Sequence, residues 1–162
     1  MTLHVVTAFL DPAPGAAFAR AAWPAHITVS TNFVARRSTA DVVASLGESL
    51  RDTQPLVATP GARAAFGADG DIPVVLVEPA RAWRVLHLTV ARTLADGGSD
   101  FTTPFTGDAY RAHVTDTPAG SWSRAARIDV LHLVQLDAGV ARVVAALPLG
   151  AEPASFSAPR RP

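Results

Sequence analysis

The chain has 162 residues, 49% of them hydrophobic, and its 14 basic residues are all Arg and are balanced by 14 acidic ones; cysteine is absent. One compact domain is expected at this length, burying about two-thirds of the surface that the unfolded chain exposes. Without cysteine there are no disulfides, no thiolate nucleophile and no cysteine-ligated zinc. A net charge of zero argues against a broad face for a long duplex, which normally carries a basic excess. No apolar run reaches the ~18 residues of a membrane span, and the opening Met1-Thr2-Leu3-His4-Val5-Val6 lacks a charged leader with a cleavage site. A cytoplasmic location away from membranes is therefore expected.

Residues 3–9 read as a first strand, with His4 an exposed or edge polar residue. Asp11-Pro12-Ala13-Pro14-Gly15 breaks the chain, and 16–22 read as a short helix. Pro24 biases Trp23 towards an extended backbone and leads into a strand at about 25–30. Asn32 to Arg37 is turn-like. Ser38 to Asp52 reads as a helix capped by Ser38 with Asp41 three places on, presenting Val42, Val43, Leu46 and Leu50 at helical spacing. A strand is expected at 54–59, then a turn-rich stretch to Asp71 that Phe66 anchors to the core. Ile72 to Glu78 is an apolar strand. Pro79 suits the first turn of a helix over 80–95, with Trp83, Leu86, His87, Val90 and Leu94 on one face and Gly97-Gly98 as the stop; His87 reads as a buried histidine satisfied by a backbone group or an Asp. A loop at 97–109 carries Phe101 and Phe105. A strand follows at 110–115, and then a loop at 116–126 with Trp122 and Arg124. Strands at 127–136 and 140–148 are joined by the hairpin signal Asp137-Ala138-Gly139. Residues 1–150 form the expected domain, and 151–162 a flexible tail.

Two stretches echo one another: Trp23-Pro24-Ala25-His26-Ile27-Thr28 and Tyr110-Arg111-Ala112-His113-Val114-Thr115. Each has an aromatic three places before a His, Ala before it, a β-branched residue after it, and then Thr. In a strand alternate side chains share a face, so His26 projects with Thr28, and His113 with Arg111 and Thr115, while Ile27, Val29 and Val114 turn into a core. A third triplet, His87-Leu88-Thr89, falls in a helix, where positions i and i+2 do not face each other; it reads as a decoy.

The paired triplets resemble those of the 2H phosphoesterase superfamily, in the branch of 2'-5' RNA ligases and RNA 2',3'-cyclic phosphodiesterases, and the order of the other elements over about residues 3–149 is similar too. The resemblance implies an α+β fold. It would be a single bilobal domain with two pseudo-symmetric antiparallel sheets and flanking helices around a central cleft, one His-x-Thr motif coming from each lobe. It further implies hydrolysis of a 2',3'-cyclic phosphate to a 2'-phosphate, with His26 as acid to the leaving oxygen and His113 as base on water. Ala25 and Ala112 stand where relatives often have Pro.

Imidazole suits both proton transfers near neutral pH, and Thr hydroxyls can donate to phosphate oxygens, so no metal and no cofactor is called for. The partner expected is a small nucleotide or an RNA end bearing a cyclic phosphate, and the protein a monomer. Candidate substrate contacts are Arg111 and Arg36 for phosphate, and Phe105 and Trp122 for base stacking. Phe33 is a further stacking candidate, and Trp23 and Tyr110 read as core residues. Two alternatives stand beside hydrolysis: a non-catalytic nucleotide- or phosphate-binding protein of the same fold, and 2'-5' joining of RNA.

Overall fold

A computed structural model describes residues 2–11, 15–116 and 121–150; the expected tail at 151–162 lies outside the described residues. The fold is α+β, with two antiparallel sheets flanked by helices. The first sheet contains β1 (Leu3–Phe9), β2 (Ala17–Ala19), β3 (His26–Val34), β6 (Asp100–Phe101), β9 (Val130–Asp137) and β10 (Val140–Pro148), in the order β2-β10-β9-β1-β3-β6. The second contains β4 (Leu56–Phe66), β5 (Ile72–Glu78), β7 (His113–Thr115) and β8 (Ala126–Ile128), in the order β7-β5-β4-β8. Helices α1 (Thr39–Leu50) and α2 (Ala80–Asp96) pack on each other, and α2 also touches β3 and β5.

Strand alternation builds the main core. Val6 and Ala8 of β1, Ile27, Val29 and Phe33 of β3, and Leu131 and Leu133 of β9 turn to the side covered by the helices, where they meet Val42, Leu46 and Leu50 of α1 and Trp83, Leu86, Val90 and Leu94 of α2. Val77, Val114 and Ile128 join the second sheet to the same core. The opposite face of the first sheet carries a smaller cluster of Val5, Phe9, Val134, Leu136 and Ala141, with Phe18 and Trp23 packed against it. This second face is the one that also bears His26.

The helices begin where local chemistry says they should. Ser38 Oγ accepts from the Asp41 amide at 3.2 Å and donates to the Asp41 carboxylate at 2.7 Å, satisfying a donor that the first turn leaves free. Glu78 does the same for α2, its carboxylate accepting from the Ala80 amide at 2.8 Å. Gly98 (φ +77°) follows α2 in the left-handed region that ends a helix.

Several expectations need correction. Residues 16–22 are not one helix: Ala17–Ala19 pair with Val140–Arg142 of β10, and only Arg20–Ala22 make a 3-10 turn. Here a long-range pairing outweighs an Ala-rich stretch. β3 runs on to Val34, so the first half of the expected 32–37 turn is strand. β4 continues through Pro60 and Gly61 to Phe66, shifting register between Pro60 and Arg63. Proline is tolerated because β8 pairs with β4 only over Leu56–Ala58, leaving that edge open at Pro60. The strand expected over 127–136 is two: β8 belongs to the second sheet and β9 to the first, so the chain changes sheets at Asp129. His4 is buried and stacks on Phe33 (5.6 Å), since β1 lies between β3 and β9 and has no free edge. Phe33 is fully buried and so is not available for stacking on a base.

Candidate active site

Both echoed stretches are held by the same set of backbone bonds. His26 Nδ1–H donates to the carbonyl of Pro24 at 2.8 Å, and His113 Nδ1–H donates to the carbonyl of Arg111 at 2.8 Å. The residue between is pinned as well: the Ala25 carbonyl accepts from the Leu10 amide at 3.0 Å, and that of Ala112 from the Val77 amide at 3.0 Å. A carbonyl can only accept, so Nδ1 carries the hydrogen in each ring, and the neutral ring keeps its lone pair on Nε2. The tautomer follows from the backbone two residues upstream. Alanine before each histidine suffices for the second bond, because its backbone carbonyl is what accepts from the Leu10 or Val77 amide.

The first motif opens β3, which is hydrogen-bonded to β1 with Phe9 opposite His26 and Thr7 opposite Thr28. His26 and Thr28 are half-buried while Ile27 and Val29 are fully buried, as alternation requires. The second motif is a strand of three residues bonded to β5, with His113 opposite Leu76 and Thr115 opposite Val74. Here Val114 is buried between a half-buried His113 and an exposed Thr115. β7 packs against β3.

The surroundings of the two rings differ. Trp23 lies against His26 (centroids 4.6 Å) and Phe9 stands 6.4 Å away. Phe66 meets His113 edge-on at 4.6 Å, and the Arg111 guanidinium sits 5.3 Å over the same Phe66 ring. Burial holds both histidines below the ordinary imidazole value of 6.5, and the carbonyl bonds at Nδ1 oppose the shift. A charge on His113 lowers His26 further, and the Arg111 cation lowers His113 further.

A cavity of about 390 Å³ is lined by Arg20, His26, Thr28, Asn32 and Thr115. It shares Trp23, Pro24, Ala25 and Thr115 with a neighbour of about 660 Å³, whose wall includes Trp122, Arg124, Ser121 and Ser123. Of the residues expected at the site, His26, Thr28, Thr115 and Trp122 thus line these adjoining cavities; His113 lines neither, and Arg111 stands beside it. Arg36 is elsewhere. It follows β3 at the end remote from His26 and pairs with Asp100 at 2.9 Å. Phe105 is 64% exposed on the loop after β6 and lines neither cavity.

Sequence reasoning missed Arg20 and Asn32; Phe66, expected as a core anchor, stands against His113 instead, and Trp23, expected in the core, packs on the smaller cluster and also lies against His26. Asn32 and Phe66 fall on the right face by strand alternation once β3 and β4 are given their full lengths. Arg20 arrives only through the β2–β10 pairing, for which the sequence carries no local sign. Among the described residues Arg20 and Arg124, which line the cavities, and Arg111, beside His113, form no salt bridge with a carboxylate. No group of three His, Asp or Glu side chains among the described residues is placed to hold a metal ion, and no helix is long and apolar enough to cross a membrane.

Solved structures share this arrangement of elements. A phosphoesterase aligns with a TM-score of 0.62 at 11% identity, over 93% of this chain and 100% of its own. The protein TT0787 of Thermus thermophilus aligns with a TM-score of 0.60 at 17% identity, over 94% and 100%. LigT of E. coli, solved with 3'-AMP, aligns with a TM-score of 0.57 at 14% identity, over 93% and 99%. At such identities the likeness is one of fold. No curated protein sequence matches the chain. The family model of the 2'-5' RNA ligase superfamily matches residues 5–149, nearly the whole of the described structure, and the chain therefore belongs to this branch of the 2H phosphoesterases.

Proposed function

We propose that the chain is a phosphodiesterase that opens a 2',3'-cyclic phosphate, on an RNA end or a small nucleotide, to a 2'-phosphate by two-histidine acid–base catalysis. In this reading the two sheets act as two lobes, each supplying one His-x-Thr motif to the cleft between them. The observation that carries it is the matched pair of Nδ1–carbonyl bonds at His26 and His113. Each turns its ring into a one-ended reagent with Nε2 as the working atom.

The chemistry divides between them. Neutral His113 takes a proton from water through Nε2 as the water oxygen bonds to phosphorus. Protonated His26 gives its Nε2 proton to the 3'-oxygen as the P–O3' bond breaks. The product is a 2'-phosphate with a free 3'-hydroxyl. Arg111 beside His113 disfavours a second positive charge there and so favours the base role for His113. Thr28 and Thr115 donate to the non-bridging oxygens, which assists the reaction where those bonds tighten in the transition state. Each proton transfer is worth about 10²–10⁴-fold. LigT of E. coli, similar in fold, has been crystallised with 3'-AMP and with NADP+, which supports a nucleotide-sized ligand.

The test is to incubate the protein in EDTA with nucleoside 2',3'-cyclic phosphates and short RNAs bearing that end, following products by phosphorus NMR. A 2'-phosphate that disappears in both His26→Ala and His113→Ala is the expected result. A 3'-phosphate product, or activity that survives in either variant, would sink the mechanism.

A further inference from the structure

Outside the histidine pair, one buried polar assembly ties the two motif strands together. Tyr110 lies three residues before His113, and its hydroxyl donates to the backbone carbonyl of Thr28 at 3.0 Å. Its ring stacks on His87 of α2, with centroids 3.9 Å apart and planes 3° from parallel. His87 Nδ1–H donates to the carbonyl of Val29 at 2.7 Å, and its Nε2 accepts from the Gly107 amide at 2.9 Å. Both ring nitrogens are therefore used, and the ring is held neutral in one tautomer. Arg84 and Asp108 pair beside this contact. Burial pushes the Tyr110 phenol well above its usual range, so it remains a donor.

The placement matters because of what lacks support there. β6 pairs with β3 only at Phe33 and Val34, so Thr28 and Val29 have no strand on that side. β7 in turn is three residues long and pairs with β5 alone. Nothing in either sheet's hydrogen-bond ladder joins β3 to β7. The Tyr110–Thr28 bond spans the gap directly, and His87 holds the next carbonyl along while fixing the turn that leads into Tyr110.

We propose that Tyr110 and His87 form a clamp that sets the separation of the two His-x-Thr motifs, acting as positioning residues for the reaction. The inference rests on the two-histidine reading above. The clamp itself touches no substrate; it acts through the backbone of Thr28 and Val29. A displacement of about 1 Å at reacting groups can cost about 10²-fold in rate, so a strand-to-strand brace at this point has a kinetic consequence out of proportion to one hydrogen bond.

Tyr110→Phe keeps the ring, its volume and the stack, and removes only the hydroxyl. The primary measurement is independent of turnover: the pKa of His26, followed by NMR, with and without His113→Gln. In the parent, removing His113 is expected to raise the His26 pKa, since a charge on His113 lowers it. In the Tyr110→Phe background this rise is expected to shrink by about half or more, because the coupling of two charges falls with their distance and with entry of water. His87→Gln, which loses the stack, is expected to weaken the coupling in the same direction. An undiminished coupling in both variants would overturn the clamp. With a cyclic phosphate, Tyr110→Phe is expected to lower kcat about 10-fold and leave KM within about twofold; a change confined to KM would also count against it. If the parent protein turns over no cyclic phosphate, the functional reading fails, and the coupling measurement still decides the clamp.

Discussion

The two motif strands make an informative comparison. β3 runs for nine residues beside β1, and His26 sits among Trp23 and Phe9. β7 has three residues at the edge of a four-stranded sheet, and His113 sits beside Phe66 and a cation. Yet the local bonds are the same in both: ring to the carbonyl two residues back, and the intervening carbonyl to a neighbouring backbone amide. The local backbone thus makes the two imidazoles alike as reagents. Their surroundings make them unequal, one set in an apolar aromatic nest and the other beside an arginine. The acid and base roles proposed for the pair need both features.

The most direct way to break the comparison is to remove each ring. On the proposed mechanism, His26→Gln and His113→Gln should each lower kcat by about 10²–10⁴-fold, and the double variant should fall far short of the product of the two, because two rings serving one transition state act as a unit. Independent, multiplicative effects in steady-state kinetics would show that they do not share one transition state. Next in size, Thr28→Val and Thr115→Val should each cost about 10²-fold in kcat/KM. Similar losses would show that both strands contribute to one oxyanion site, and a loss from one alone would assign the phosphate to that side.

Arg111→Gln tests the inequality itself. Removing the cation should raise the His113 pKa and move the corresponding limb of the kcat/KM profile towards higher pH, at a rate cost of at most about 10-fold. In the parent, both histidines lie below the ordinary value of 6.5. The state with one proton shared between them is then most populated below that pH, so kcat/KM should follow a bell with its maximum on the acid side of about 6.5. A maximum above neutrality would contradict the site's electrostatics.

The smallest effect concerns the fold. His4, His87 and His132 are buried, and burial lowers all three pKa values. A lowered folded value means that their contribution is complete above the unfolded value of about 6.5 and is lost as pH falls through the folded values. Urea midpoints should therefore decline between pH 7 and pH 5. A midpoint that does not change over that range would show that these rings already protonate freely in the folded protein.

Much of this molecule is legible from its residues one stretch at a time. β1 and β5 have the bounds that their apolar runs suggest, and Trp83, Leu86, His87, Val90 and Leu94 are the buried face of α2. Side-chain period and capping chemistry are local, so the sequence states them directly. The echo of His26-Ile27-Thr28 in His113-Val114-Thr115, and the face each residue takes, belong to the same class. Only the tertiary structure decides which distant segments meet. Arg20 reaches the cavity by way of β10; Arg36 is drawn to Asp100; Tyr110, three residues from one histidine, bonds to the strand of the other. The third triplet shows the difference most plainly. His87 and Thr89 sit in a helix and do not act as a pair, but helix packing brings His87 to Val29 and Tyr110. Sequence period determines the face of its own element on which a side chain lies, while the partner across the gap depends on how the elements pack, and no local pattern encodes that.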